Sequence, residues 1–361
     1  MISTTTDSLS KDWSIHDEVI RLRLWATDTV YPLPADDRGR ILVGIAPTCT
    51  VRVHDPSNLT SREHAALERV DGRWSIVDRS KNGLYLDDQQ RERFLLTPGI
   101  EIGLGRHVTL IAESARTIAL RAALARMLGW SAAHAESIDL ALRVLRLAAS
   151  RRAILVLCGE PAMVPLAEEL HRLTLSEQRP FVLCNPQRRA YESAARFTRC
   201  VTDGRTAVAQ ALDGTVCIDD RKRPADLAEM LHELHRPGCT AQLIVLARNA
   251  RKAEMYSVAP VMIPPLRSRR DELERLIREY EAEAVQRLGL SPLELTPVQR
   301  AWIREWSSES LPDIQKATLR LIAIRCAGSV AGAAALLRIS HVGLGQWLAR
   351  RRFRSISAPA L

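Results

Sequence analysis

The 361-residue chain has no run of about 18 apolar residues, so its sequence offers nothing to span a bilayer. Its opening stretch, Met1 to Ser14, is polar and lacks the basic-then-apolar pattern of a secretory signal. There is no Cys-x-x-Cys pair either. The seven cysteines stand alone at positions 49, 158, 184, 200, 217, 239 and 326. Several sit inside apolar runs, where a free thiol behaves as a small buried hydrophobe. This argues against a disulfide framework and a zinc site, and for a reducing cytoplasm. His232 and His235 flank Glu233, but at a spacing that is not His-Glu-x-x-His and with no third ligand. They read as a surface helix face, and no metal is expected. The last absence is of acid. From Lys316 to Leu361 there is no Asp or Glu.

What is present is ordinary in bulk and uneven in placement. Hydrophobic residues make up 46% and charged residues 26%, so a soluble globular class and two or three domains are expected. The formal net charge is +9, and the acid-free segment alone carries eight Lys and Arg. A basic end on a nearly balanced body predicts a polyanionic partner.

From Ile20 to Ala112 the pattern is one of short strands, among them Arg21 to Trp25, Arg40 to Val43, Thr50 to Val53, Trp74 to Val77 and Val108 to Ile111. Asp71-Gly72, Asn82-Gly83 and Pro98-Gly99 separate them, which predicts an all-β sandwich. Within it, Leu42-Val-Gly44, Ser61-Arg-Glu-His64-Ala65, Gly72 to Asp78 and Ser80-Lys-Asn82-Gly83 resemble the forkhead-associated (FHA) domain, a phosphothreonine-binding sandwich. The resemblance implies that Ser61 and Arg62 contact phosphate, that Lys81 sits beside it and that Asn82 holds the ligand's backbone. His64 would brace the loop. Ile45 follows Gly44 where the family has an Arg that grips phosphate, and Leu84 replaces a Thr. An unphosphorylated docked partner is the alternative ligand.

Two helical patterns follow, Ile118 to Leu128 and Ile138 to Ala149, read as a connector packed on the next domain. Then the apolar runs Ala153 to Cys158, Phe181 to Cys184, Val216 to Ile218 and Leu243 to Ala247 alternate with helical segments such as Val164 to Leu173 and Pro224 to His235. That alternation predicts a parallel sheet covered on both faces. Gly159-Glu160, the run ending at Asn185, Asp219-Asp220 and Pro264-Pro-Leu-Arg-Ser-Arg269 resemble the AAA+ domain of bacterial enhancer-binding proteins, the NtrC-like activators of sigma-54 polymerase. Gly159, Glu160, Asp219 and Asp220 are then the remains of a nucleotide site. The turn Gly159 to Pro165 lacks the later glycines and the Lys that cradle phosphate. Pro161 and Pro165 remove two N–H donors. No Gly-Ala-Phe-Thr-Gly-Ala loop occurs. The expectation is an ATPase-dead, non-enzymatic core with no cofactor, in which Arg267 and Arg269 pair with carboxylates between domains or subunits.

At the end, Leu319 to Cys326 is helical, Gly328-Ser329 breaks it, Val330 to Leu337 resumes, and Ser340 caps His341 to Arg352. The stretch Gly328 to Leu348 resembles the Fis-type helix-turn-helix that closes these activators. By that resemblance Ser340, His341, Val342, Gly345 and Gln346 face the major groove, and Arg350, Arg351 and Arg352 lie on backbone phosphate. The organisation expected is a flexible N-terminus (1–19), FHA domain (20–113), helical linker (114–150), degenerate AAA+ α/β core (151–268), helical lid (269–315), helix-turn-helix (316–353) and tail (354–361). The function expected is a cytoplasmic, oligomeric (at least dimeric) regulator that couples (phospho)protein recognition to double-stranded DNA. An FHA-based protein-interaction scaffold without sequence-specific DNA binding is the alternative.

Overall fold

A computed structural model describes residues 17–35, 39–159, 162–176, 178–187 and 198–351. The N-terminal part is a two-sheet β-sandwich. One sheet has the order β2-β1-β11-β10-β7-β8, formed by Arg21–Leu24 (β1), Val30–Pro32 (β2), Leu84–Leu86 (β7), Gln89–Gln90 (β8), Glu101–Leu104 (β10) and Val108–Glu113 (β11). The other has the order β4-β3-β5-β6-β9, formed by Ile41–Gly44 (β3), Val51–Arg52 (β4), Ala65–Val70 (β5), Arg73–Asp78 (β6) and Arg93–Leu95 (β9). Inward residues such as Leu22, Val43, Leu67, Ile76, Ile102 and Leu110 fill the space between the sheets, as sandwich packing requires. Two hairpins turn on two residues. Asp71-Gly72 joins β5 to β6 and Asp87-Asp88 joins β7 to β8, all four at positive φ, the conformation whose twist suits paired strands.

Ala115–Leu128 (α1) and Ala135–Arg151 (α2) follow. Ser114 starts α1 with a reciprocal cap: its hydroxyl accepts from Thr117 N–H, and the Thr117 hydroxyl accepts from Ser114 N–H. Next comes a six-stranded, all-parallel sheet in the order β14-β13-β15-β16-β12-β17. Its strands are Leu155–Cys158 (β12), Phe181–Cys184 (β13), Thr198–Val201 (β14), Thr215–Asp219 (β15), Gln242–Ala247 (β16) and Val261–Met262 (β17). β12, β13 and β16 are buried at every position, which is why they are continuous apolar runs and not alternating ones. Val164–Thr174 (α3), Gly204–Gln210 (α4), Leu227–Leu234 (α5) and Ala250–Ala253 (α6) connect them.

The remaining helices are Leu273–Arg287 (α7), Pro297–Trp306 (α8), Leu311–Ala327 (α9), Val330–Leu336 (α10) and His341–Arg350 (α11). α9 begins eight residues before the expected Leu319, because Ser310 caps it and Pro312 lies in its first turn. Gly328 ends it at φ +67° and Ser329 caps α10, so the two helices cross at 116°. Among the described residues no single helix is long and apolar enough to cross a membrane.

One apolar cluster runs without a break from α1 and α2 over one face of the parallel sheet to α11. The connector helices are therefore part of the α/β core, and polar bonds pin them to the sandwich as well. Arg23, 1% exposed, donates to Glu113 (2.7 Å) and forks onto Asp139 of α2 (2.6 and 2.9 Å). Asp139 also accepts from Ala26 N–H at 2.8 Å. Nearby, Arg143 pairs with Glu101 and lies over the Trp25 ring, and Arg146 reaches Asp87 at 2.9 Å.

Candidate functional site

The loops at one end of the sandwich bring Ser61, Arg62, Lys81 and Asn82 together. Asp55, which the sequence reading passed over, shapes the first loop. Its buried carboxylate accepts from the N–H groups of Ser57 (2.9 Å), Leu59 (2.9 Å) and Thr60 (2.7 Å) and from the Ser57 hydroxyl. Burial pushes that carboxyl up, but the donors of Ser57 and Thr60 outweigh it and hold it well below the usual carboxylate range. The signal was available: an Asp two residues before Ser, in a stretch with no strand pattern, is an Asx-turn.

His64 ties the first loop to the second. It is fully buried; Nδ1 accepts from Ser61 N–H at 3.1 Å, and Nε2 lies 3.0 Å from the Gly83 carbonyl oxygen. A carbonyl only accepts, so the ring is the neutral Nε2–H tautomer, and burial lowers its pKa. Asn82 Nδ2 donates to Leu59 O at 2.6 Å, and Lys81 N–H donates to the Ser61 hydroxyl at 3.3 Å. Gly44 has no room for a Cβ, which would collide with the Arg62 carbonyl. Ala46 N–H meets that same carbonyl at 3.0 Å. The turn after β10 closes the rim, with Gly105 N–H on Gly83 O at 3.0 Å.

These bonds fix backbone and leave the cations open. Arg62 and Lys81 are exposed, and neither has a carboxylate partner among the described residues. Ile45 is half-buried and packs on the sandwich core. A hydroxyl, a guanidinium, an ammonium and an amide thus stand on one edge, the donor set a tetrahedral dianion takes.

Residues 39–105 match the FHA domain family. The chain carries an FHA domain. Solved structures similar to part of this chain include the FHA-1 domain of Mycobacterium tuberculosis Rv1747, 27% identical, covering 27% of this chain and 97% of that one at a TM-score of 0.24. Another is the N-terminal FHA domain of S. cerevisiae Rad53p in complex with a phosphothreonine peptide, 23% identical, covering 27% and 94% at a TM-score of 0.24. A search of curated proteins found no match.

Beyond the FHA domain, the other expected sites are placed as follows. Gly159 and Asp219 line a cavity of about 30 Å³ at the carboxyl edge of the parallel sheet, with Met163, Arg221 and Arg248. Glu160 lies outside the described residues. Asp219 is held by its neighbour: Arg221 forks onto it at 3.1 and 2.9 Å. Burial opposes the charge on Asp219, and Arg221 outweighs burial, so its pKa is lowered. Asp220 is buried and accepts from the Tyr256 hydroxyl at 2.8 Å, and burial with that bond pushes Tyr256 up to about 12. Arg269 is buried too. It caps the end of α1 through the carbonyls of Met127 (2.7 Å) and Arg126 (3.0 Å) and pairs with Glu272. Arg267 is exposed. Among the described residues no three His, Cys, Asp or Glu side chains gather as a metal site.

On α11, His341, Val342, Gln346 and Arg350 are exposed and share one side, with Gly345 beside them and Leu344, Trp347 and Leu348 buried opposite. Ser340 caps the helix by accepting from Gly343 N–H. Arg351 points elsewhere. Its Nε donates to Ser307 Oγ at 3.1 Å, its guanidinium lies 5.0 Å from the Trp347 ring centre, and its carbonyl accepts from Trp302 Nε1 at 3.0 Å. Arg352 is outside the described residues.

Proposed function

We propose that the chain is a cytoplasmic regulator that binds a phosphothreonine-bearing protein through its FHA domain and double-stranded DNA through its C-terminal helices, as a dimer or larger oligomer. The observation that carries the reading is the edge formed by Ser61, Arg62, Lys81 and Asn82, rigid in its backbone and open in its cations. Phosphothreonine offers a dianion to the two cations and the Ser61 hydroxyl, and backbone groups to Asn82. The test is calorimetric titration of the full chain with matched phosphorylated and unphosphorylated threonine peptides. Phosphorylation is expected to tighten binding, and Arg62→Ala to cost about 1.5–3 kcal/mol, a charge-assisted hydrogen bond. Equal affinity for both peptides defeats the reading.

The DNA half rests on charge and exposure. Eight Lys and Arg and no Asp or Glu lie between Lys316 and Leu361, and of these Arg325, Arg338 and Arg350 are exposed. The open side of α11 supplies groups that meet base edges. The α/β unit would couple the two ends without turnover. Its cavity of about 30 Å³ holds a few waters at most, against the roughly 300 Å³ or more of a ligand pocket. Both carboxylates that could serve a metal–nucleotide complex are taken by Arg221 and Tyr256. Micromolar ATP affinity, or hydrolysis lost on Asp219→Asn, would defeat that part.

A further inference from the structure

Two tryptophans and two arginines meet where α8, α9 and the end of α11 come together, and the cluster has more donors than acceptors. We infer that Arg320, with Arg351 and Trp347 beside it, is a binding site for a phosphate group. The site lies behind α11, away from its open side, and does not depend on that side's contact with DNA.

Trp347 is 8% exposed. Two guanidiniums lie over its indole, Arg320 at 4.5 Å and Arg351 at 5.0 Å from the ring centre. Trp302 meets the same ring edge-to-face at 5.7 Å. Two like charges on one ring repel each other, and an anion beside them relieves that repulsion. Arg351 already has partners. Its Nε donates to Ser307 Oγ at 3.1 Å and its Nη2 lies 3.7 Å from Asp313. Arg320 has none of this kind. Among the described residues no carboxylate pairs with it, and its Nη1 is buried without an acceptor. Trp347 Nε1 is buried without an acceptor as well.

A donor shielded from water and left unbonded is unfavourable, and here two of them stand at one cation. Burial, and then the charge of Arg351, lower the Arg320 pKa to about 10. The guanidinium therefore stays charged at neutral pH and is stabilised by any anion that reaches it. Arg320 is half-buried, so its stem is anchored in α9 while part of the side chain meets solvent. No acceptor of the protein competes for it. A carboxylate presents two oxygens in one plane and serves a single fork. A tetrahedral phosphate presents oxygens in several directions and can serve two guanidiniums at once. Two sources carry that chemistry, the free ion and the DNA backbone. The position behind α11 favours the free ion.

The experiment uses the full chain in two arms. In the first, wild type, Arg320→Met and Arg325→Met are melted in sodium phosphate and in sodium chloride at equal ionic strength and neutral pH. Phosphate is expected to raise the melting temperature by about 1–3 °C over chloride, and to saturate. The gain should vanish in Arg320→Met, which keeps the stem and removes the fork, and persist in Arg325→Met, an exposed position on the same helix. Arg320→Lys keeps the charge without the fork and serves if the Met variant does not fold; it should retain less than about half the gain. In the second arm a short DNA duplex is titrated over a range of salt. If phosphate gives no gain but Arg320→Met lowers the log–log slope by about one, the DNA backbone supplies the phosphate and the site stands. If the duplex does not bind, the DNA reading falls and the melting arm alone decides. A gain that survives Arg320→Met, or no difference between it and wild type in either arm, overturns the site.

Discussion

At the scale of single residues, the groups that decide behaviour are buried and already partnered. His171 lies inside the parallel-sheet core, 4% exposed, with Nε2–H on the Arg179 carbonyl at 3.0 Å and Nδ1 accepting from the Thr215 hydroxyl at 2.8 Å. Burial lowers its pKa to about 4. The folded chain thus refuses a proton that the unfolded chain accepts below about 6.5. Stability must fall as pH drops from about 6.5 to about 4, by up to about 3 kcal/mol from this residue. The urea midpoint of His171→Gln should fall less steeply over that window than wild type; parallel slopes would remove the assignment. His64 shows how legible the FHA edge was. Ser-x-x-His and Asn-Gly are local spacings, so the residues that meet could be picked from the chain. Asp55 is just as local, with its four donors lying two to five residues further on, and its Asx-turn signal was passed over.

At the scale of elements, the ends of helices carry the argument. α11 is weak by propensity, since Gly343 and Gly345 each cost roughly 1 kcal/mol relative to Ala. Nothing crowds either position: a Cβ at Gly345 has no neighbour within 4 Å, and one at Gly343 meets Ser340 at 3.7 Å. Gly343→Ala should therefore raise the melting temperature; a fall would show that this end of the chain is not helical as described. Gly345→Ala should stabilise as well and still weaken DNA binding if α11 lies in a groove. The helix is instead held by its far end, where Trp302 meets Trp347 edge-to-face at 5.7 Å and Arg320 lies 4.5 Å from the Trp347 ring centre. Arg351 belongs to that clasp. With three to five phosphate contacts per subunit, the log–log dependence of DNA affinity on salt should have a slope of roughly −3 to −5. Arg350→Ala should flatten it, and Arg351→Ala should mainly cost stability. If Arg351→Ala flattens the slope as much and leaves the melting temperature alone, the clasp does not hold in solution.

At the scale of the molecule, a buried ion network joins the sandwich to the α/β core. Arg23, Glu113 and Asp139 are each about 1% exposed or less. Removing one partner from such a set leaves a charge buried alone, which costs about 3–5 kcal/mol. Asp139→Ala should therefore unfold or uncouple the sandwich, and calorimetry should show two transitions where wild type shows one. A single unshifted transition would mean that the network is not formed. Because these charges are shielded from solvent, moderate salt should barely affect the junction, whereas the proposed binding to DNA should weaken steeply.

The sequence by itself determined the element types and their order, because periodicity is local. The apolar runs that became β12, β13, β15 and β16 read as strands buried on both faces because they are short and alternate with helical segments, and the Ser and Gly punctuation of the last helices marked their ends. It missed short strands such as β8 and β14 and the Asp87-Asp88 turn, where no glycine advertises the left-handed backbone. Tertiary structure alone decided which charges are spoken for. Asp139 in α2 finds Arg23 across 116 residues, Arg269 finds the end of α1, and Arg351 turns from the open side of α11 to Ser307. A charge in a sequence has a sign and no partner; partners come from chain packing, through contacts far apart in number, which local patterns do not encode.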